Sequence, residues 1–201
     1  MQGKTHIHSR EISIKTFDID QDTMLIEGEL KDIQPSPWYF YTTGEFRQPG
    51  YSHHISAQMT VRLPDLVISD ARAQMSVVAH EECRQVEHQI DAIVGLSILQ
   101  KAFKKKLLEL MGGTKGCIHL TGLVLDMASA GIQGQWGYYN RVENGALLRA
   151  PEYDTSILLN SCWLWREGSP FARRIPQIED EISRHKQFLQ SGPLPPDPDK
   201  E

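Results

Sequence analysis

The stretch that decides the fold is residues 11–30, which read EISIKTFDIDQDTMLIEGEL. Apolar and polar side chains alternate over residues 11–18, and this two-residue period is typical of a half-buried β-strand. A second apolar-rich run covers residues 24–30, after the polar turn residues 20–22. The pattern predicts a β-hairpin near the start of the chain.

A second hairpin is indicated further along the chain. Residues 54–63 and 66–75 form two more strand-like runs, joined at Pro64 and Asp65. Residues 34–51 are rich in proline and aromatic rings, so we expect no regular element between the hairpins. So many rings in a loop suggest a lid or a pocket wall, or a cover over an open sheet edge. Together the hairpins predict an antiparallel sheet of about four or more strands.

Helical spacing begins in the middle of the chain. Residues 81–94 have helix-compatible spacing and stop at Gly95, and Ser97 with Gln100 matches the capping box of a second helix. The apolar positions of the second and third helices recur at three- and four-residue steps and are Leu99, Phe103, Leu107 and Leu110, then Leu120, Leu123, Val124, Met127 and Ala128.

The last third of the chain carries weaker patterns. Residues 156–165 could form a strand, residues 177–190 predict a short amphipathic helix, and residues 192–201 form a proline-rich tail that we expect to be mobile. We therefore predict a single α+β domain over residues 1–191. Its antiparallel sheet, with two N-terminal hairpins, is expected to pack against three or more helices.

The composition excludes several classes of partner. The 201 residues carry a formal net charge of −5, and without a basic stripe we expect no nucleic-acid binding. No apolar run is long enough for a membrane span and no signal-peptide pattern occurs, so we expect a cytoplasmic protein that binds no membrane. The three cysteines are irregularly spaced, which argues against a disulfide framework.

The strongest candidate for chemistry is the turn Gly116-Cys117-Ile118-His119-Leu120. Cys117 lies where a glycine-bearing loop enters a helix, and the amides of a helix N-terminus favour a thiolate or another anion. His119 lies two residues on, and both side chains could border one cavity. Alternatively, Cys117 packs as a small apolar group and His119 caps the helix. The preceding glycines lack the order of a phosphate-binding loop, so we expect no nucleotide site.

Other histidines are further candidates. His53 and His54 open a strand, and because strand side chains alternate, only one of them can face the interior. His8 and Arg10 lie two apart in an extended segment and could share a face, where His8 either binds a metal with His6 or faces solvent. The acidic residues that could join such a site include Glu27, Glu29 and Asp32.

A metal centre is an alternative use of the cysteines. Cys83, Cys117 and Cys162 with His119 could supply four ligands to zinc or to iron in a cluster, because soft thiolates and an imidazole suit those metals. The spacing is unlike that of structural zinc sites, since the chain contains no C-x-x-C pair. We therefore expect no cofactor, with zinc or iron as the alternative.

An ordered set of motifs resembles a known family. The set comprises His8 with Arg10, the strand IEGELKD, Cys83, the turn from Gly116 to Leu120, and Asn160-Ser161-Cys162. With these motifs the chain resembles a bacterial family catalogued as domain of unknown function 2889, over about residues 8–166. It departs from the family pattern at residues 76–82, around Val77-Val78-Ala79-His80. The resemblance implies a stand-alone bacterial cytosolic protein and brings no settled mechanism.

Two classes of function follow from these residues. The first is a lyase that breaks a C–C or C–O bond of an aromatic or carboxylated small molecule, with His54 or His119 as general base. Arg10 would hold an anionic group in this enzyme. The other expected residues are Tyr139 as a catalytic group, and His8, His53, Trp38, Tyr41, Cys117, Trp136 and Tyr138 around the substrate.

The second class is not enzymatic. In it the chain is a metal- or iron–sulfur-binding scaffold, or a ligand-binding regulatory module, that uses Cys83, Cys117, Cys162 and His119. Exposed strand edges and the aromatic loop would also allow a homodimer.

Overall fold

Alternation of apolar and polar residues builds one long antiparallel sheet. The computed structural model of the chain describes residues 3–141 and 158–191. Its strands are β1 (Ser9–Asp20), β2 (Thr23–Gln34), β3 (Trp38–Phe40), β4 (Glu45–Arg47), β5 (Gly50–Arg62) and β6 (Val67–Val77). Four of them are hydrogen-bonded in the order β1-β2-β5-β6, each antiparallel to its neighbour. The α+β class, both hairpins and the four-stranded sheet are confirmed.

The region between the hairpins contains a regular element, so the expectation of none was wrong. Strands β3 and β4 form a separate two-stranded sheet, in which Trp38 lies opposite Arg47. Gly44 lies in the turn with a φ of +74°, a conformation that glycine adopts readily. The prolines of this region lie outside the paired residues, so they remove no hydrogen bond from the short ladder.

The helical elements follow the sheet. They are a 3₁₀ helix at Glu81–Ile93, α1 (Phe103–Met111), a short 3₁₀ turn at Gly113–Lys115, α2 (Ile118–Asn140), a 3₁₀ turn at Ala172–Arg174, and α3 (Ile175–Ser191). The third and the C-terminal predicted helices are confirmed as α2 and α3. The first predicted helix exists but is wound as a 3₁₀ helix of 13 residues, a difference that side-chain spacing does not encode.

Three local expectations were wrong. Ser97 caps no helix: its hydroxyl donates to the carbonyl of Asp65 at 2.5 Å, and α1 begins only at Phe103. The buried side of α1 continues from Leu107 to Met111, a four-residue step, which leaves Leu110 exposed. Residues 158–165 form turns and not the strand that was expected there; residues 156 and 157 lie outside the described part of the chain.

Helix α2 lies on the apolar face of the sheet, along β2. Glycines set the distance between the two elements: a Cβ atom on Gly28 would lie 2.6 Å from the Sδ of Met127. A Cβ atom on Gly131 would lie 2.5 Å from Cδ1 of Ile26. Position 26 on the strand lies beside position 131 on the helix, and position 28 on the strand lies beside position 127 on the helix. The two elements therefore run in opposite directions, and α2 is antiparallel to β2.

The chain divides into two compact units, Met1–Gln135 and Trp136–Glu201. Within the second unit, Tyr138 and Tyr139 are buried and their rings meet edge to face, with centroids 5.1 Å apart. The single domain expected over residues 1–191 stays a prediction, and the expected tail lies outside the described residues. No helix in the described part of the chain is long and apolar enough to cross a membrane.

We expect Gly131→Val to lower the free energy of unfolding by about 1–3 kcal/mol, because the added methyl groups have no room beside Ile26 and Ile98. Urea denaturation followed by circular dichroism measures the change. Gly122→Val is the matched control, since it lies on the same helix and a Cβ atom there would meet nothing within 4 Å. Equal effects of both substitutions would contradict the close packing of α2 on the sheet.

Candidate functional site

The centre of the candidate site is a carboxylate on the apolar face of β2. The side chains of Met24, Ile26 and Leu30 alternate into the core, and the same period brings Asp32 to that face. Asp32 is only 3% exposed. An ionised carboxylate in such a position is costly unless it is paired, so its neighbours determine what the site can do.

Arg10 supplies the pairing charge from the adjacent strand. Arg10 lies opposite Asp32 in the β1–β2 register. Its Nε donates to Oδ1 of Asp32 at 2.7 Å and its Nη2 donates to Oδ2 at 2.8 Å, a two-pronged pair. Burial alone would raise the pKa of the Asp32 carboxyl, but the hydrogen bonds and charge of Arg10 hold the pKa below its ordinary value. Asp32 is therefore ionised at neutral pH.

Three histidines surround the carboxylate. His53 lies opposite Asp32 on β5, beside a bulge at Ser52, and its Nδ1 is 3.2 Å from Oδ2. His119 approaches from the first turn of α2, with its Nε2 at 3.6 Å from the same oxygen. Nε2 of His8 lies 3.3 Å from Oδ1. The rings of His53 and His119 are stacked, with centroids 3.9 Å apart and planes at 29°.

Burial keeps the two stacked imidazoles neutral. Burial lowers the pKa of His53 and of His119 below the ordinary 6.5, and this effect exceeds the opposite effect of the negative charge of Asp32. The neighbouring His53 lowers the pKa of His119 further. A neutral imidazole has a free lone pair, so it can accept a proton or bind a metal. Negative Asp32 and positive Arg10 balance each other, and the site as a whole carries little net charge.

The turn before α2 fixes the position of His119. Gly113 has a φ of +59°, and a Cβ atom on Gly116 would lie 2.5 Å from the carbonyl oxygen of Met111. The hydroxyl of Thr121 donates to that same carbonyl at 2.9 Å. The first helical bond runs from the amide of Thr121 to the carbonyl of Cys117. Sγ of Cys117 lies 3.7 Å from Nδ1 of His119, so these two side chains do border one space.

The structure brings five of the expected residues together, namely His8, Arg10, His53, Cys117 and His119. We call these five and Asp32 the Asp32 cluster. Asp32 was only one of several acids considered from the sequence, although the alternation of β2, continued by one step past Leu30, indicates its burial. The expectation that one of the paired histidines faces the interior is confirmed, and it is His53.

His54 lies elsewhere. It faces the opposite side of the sheet, where its Nε2 is 2.7 Å from Oε1 of Glu29. Lys31 donates to the other oxygen of that carboxylate at 2.8 Å. His54 and His119, the alternative general bases proposed from the sequence, therefore lie apart: His54 contacts Glu29 and His119 contacts Asp32.

The remaining candidates are distributed over both units. Trp38 is half-buried in β3, Tyr41 is 81% exposed at the following turn, and Cys83 is half-buried in the first 3₁₀ helix. The second unit contains the other four candidates, Trp136, Tyr138, Tyr139 and Cys162. None of the three cysteines forms a disulfide.

One group in the cluster has the spacing of a metal site. Among the described residues, Asp32, His53 and His119 are the three ligand-type side chains whose donor atoms all lie within 4.8 Å of one another. Nδ1 of His53 is buried and makes no hydrogen bond, although Oδ2 of Asp32 is 3.2 Å away. The separation is short enough for a hydrogen bond but the direction is wrong, so we treat this contact as electrostatic.

A separate depression of about 470 Å³ lies on the opposite face of the sheet. Its lining includes Ser13, Lys15, Glu27, Gln58 and Arg72, and no side chain of the Asp32 cluster. Size alone would favour this depression as a binding site. The Asp32 cluster instead contains ionisable groups that are paired and shielded from water, which is typical of catalytic sites. We therefore take the Asp32 cluster as the candidate site.

Comparison with known proteins gives one match. The sequence model of a family described as "Protein of unknown function (DUF2889)" matches residues 8–133. All six residues of the Asp32 cluster lie within this segment. No curated protein and no solved structure matches the chain significantly. The family description names no activity.

We expect the free energy of unfolding to fall as the pH decreases below 6.5. His53 and His119 have a lower pKa in the folded chain than their ordinary 6.5, so the unfolded chain takes up protons first and is favoured. Urea denaturation at pH 7.5 and at pH 5.5 measures the slope. The slope should be smaller in His53→Gln than in the wild type, and equal slopes in the two proteins would contradict the assignment.

Proposed function

The chain belongs to the family described as "Protein of unknown function (DUF2889)", and we propose that it is a small-molecule enzyme with a histidine as general base and no organic cofactor. The observation that carries this proposal is the pair of neutral, stacked imidazoles beside an ionised, buried carboxylate. A general base must be unprotonated before it takes a proton, and burial, which lowers the pKa of both imidazoles, keeps them in that form.

His53 is the better placed of the two bases. Its Nδ1 faces Asp32, which leaves Nε2 for a substrate. In the described part of the chain, Nε2 of His53 makes no hydrogen bond. When this nitrogen takes a proton, the imidazolium lies beside the negative charge of Asp32, which stabilises it. His119 has both nitrogens engaged, one towards Asp32 and one towards Cys117.

The outer edge of the cluster supports an anionic substrate. The side chains of His8 and Arg10 are 42% and 44% exposed, whereas that of Asp32 is 4% exposed. Arg10 uses Nε and Nη2 on Asp32 and keeps Nη1 for a further acceptor. A carboxylated substrate, bound there with its acidic proton towards His53, fits this arrangement of charges.

The reaction class we propose is a lyase step. When His53 removes the proton of a hydroxyl or phenol, the electron pair on oxygen forms a C=O bond and a neighbouring C–C or C–O bond breaks. The departing carbon or oxygen keeps the electron pair of the broken bond. An aromatic ring on the substrate would delocalise the shifting electrons, and the stacked imidazoles offer a flat surface beside it. The free cysteines agree with the reducing cytosol as the location of this reaction. A homodimer remains a prediction.

The test of the function is a matched set of histidine variants. Purified protein is incubated with a panel of hydroxylated aromatic carboxylic acids, and products are measured by liquid chromatography with mass spectrometry. We expect conversion by the wild type and by His54→Gln, which alters the opposite face of the sheet. His53→Gln should reduce the rate by about 10²- to 10⁴-fold, the usual contribution of a general base.

Two outcomes would count against the proposal. If conversion depends on His54 and not on His53, the Asp32 cluster is not the reaction centre. If no acid in the panel is converted and none changes the amide chemical shifts of residues 117–119 in NMR spectra, the anionic substrate is wrong as well.

A metal centre is the second candidate, favoured by the buried Nδ1 of His53. That nitrogen, Nε2 of His119 and Oδ2 of Asp32 offer two imidazoles and one carboxylate, a donor set that suits zinc or iron(II). Against it stands Arg10, whose positive charge is bound to both oxygens of the same carboxylate. The arrangement of charges therefore favours the metal-free base.

Metal analysis separates the two candidates. The acid–base proposal leads us to expect well below one equivalent of zinc or iron in freshly purified protein. It also predicts that Zn²⁺ does not bind saturably at the Asp32 cluster. His53→Ala and His54→Ala should therefore not differ in Zn²⁺ binding. About one equivalent bound by the wild type and by His54→Ala, but lost in His53→Ala, would replace the base by a metal centre.

A further inference from the structure

The proposed base uses His53 and leaves a second line of groups without a role. This line runs from Sγ of Cys117 to Nδ1 of His119 at 3.7 Å, and from Nε2 of the same ring to Oδ2 of Asp32 at 3.6 Å. A thiol, an imidazole and a carboxylate in this order form the arrangement by which a nucleophile is activated in covalent catalysis.

We propose that Cys117 is a nucleophile that His119 activates, and that it bonds to an electrophilic carbon of a small molecule. The proposal rests on the same cluster as the proposed function and assigns it a covalent step. Electrophiles of the matching class carry a leaving group on that carbon, as activated carbonyl and alkylating compounds do.

The neighbours of His119 select the tautomer that this step needs. Negative Asp32 faces Nε2, so the proton of a neutral His119 is favoured on Nε2, and the lone pair is then on Nδ1, towards the thiol. With its lone pair on Nδ1, a neutral His119 can accept the proton of the thiol. Asp32 then stabilises the imidazolium that results.

The position of Cys117 at the start of α2 adds a second contribution. The carbonyl of Cys117 accepts the first hydrogen bond of a helix of 23 residues. The unpaired amides at this end and the helix dipole favour negative charge on the sulfur as its proton leaves. Neither the helix end nor the cysteine would identify a site alone; the imidazole between the thiol and a buried carboxylate does.

The sulfur forms a bond to the electrophilic carbon with its own electron pair while its proton passes to Nδ1 of His119. The bond between that carbon and the leaving group breaks, and the leaving group departs with the electron pair. In a reaction with iodoacetamide the products are the S-alkylated Cys117, the protonated His119 and iodide, and solvent then removes the proton.

The other cysteines serve as internal standards. Cys83 is half-buried, and no hydrogen bond of the described residues joins it to an imidazole. Cys162 is exposed, and backbone hydrogen bonds from Trp165 and Leu164 lower the pKa of its thiol. It would therefore react for a reason unrelated to the Asp32 cluster, and the experiment uses the full chain with Cys162→Ser.

The experiment measures alkylation of each cysteine by iodoacetamide at pH 7 by mass spectrometry of digested protein. We expect Cys117 to react about tenfold or more faster than Cys83, and His119→Gln to remove most of that difference. His54→Gln, which changes the opposite face of the sheet, should leave the ratio of the Cys117 and Cys83 alkylation rates unchanged. In 6 M urea the rates of the two cysteines should converge, a comparison that needs no variant of the site.

The proposal is overturned if Cys117 reacts no faster than Cys83 in the folded chain, or if its rate is the same in His119→Gln. Because alkylation needs no substrate turnover, this result is independent of the acid–base test. Conversion of the acid panel that survives Cys117→Ser and is lost in His53→Gln would leave the proposed function standing without the covalent step. Fast alkylation of Cys117 without conversion of any acid in the panel would support the covalent step and contradict the proposed function.

Discussion

The close approach of α2 to β2 is the constraint on which the site depends. Glycine on the strand, at position 28, and on the helix, at position 131, lets the two backbones come together where any side chain would separate them. From Ile26 to Asp32 the strand spans about 20 Å, and from Gly131 back to His119 the helix spans about 18 Å. Because these lengths agree, the first turn of α2 arrives over Asp32.

Charge then determines which side chains can lie around Asp32, where the first turn of α2 approaches β2. A carboxylate on an apolar face would be protonated or unstable without Arg10, which lies opposite it on β1. Burial disfavours the charged form of every group in the cluster. Arg10 offsets this effect for Asp32, whereas in His53 and His119 burial prevails and keeps the imidazoles neutral. One cluster thus holds an anion, a cation and two bases, each in the state that its partners favour.

Much of the fold could be predicted from the sequence, because β2 and α2 each repeat with a clear period. The same alternation also indicates that Asp32 faces the core, if it is followed past Leu30, and that His53 does, if it is followed back from Ile55. His54 was named as a base from the sequence, although alternation counted back from the buried Ile55 turns His53 and not His54 towards the core. The 3₁₀ winding of Glu81–Ile93 was not predictable, since it depends on backbone hydrogen bonds and not on apolar spacing.

His119 is the residue at which the alternative functions exclude one another. A metal held with Asp32 and His53 needs the lone pair of Nε2, whereas activation of Cys117 needs a proton on Nε2 and the lone pair on Nδ1. A neutral imidazole offers only one lone pair, so it cannot serve both at once. The ionised Asp32 beside Nε2 favours the proton there, and Arg10 on the same carboxylate opposes a second cation. The tautomer of this one ring therefore separates the acid–base and thiol chemistry from the chemistry of a metal centre.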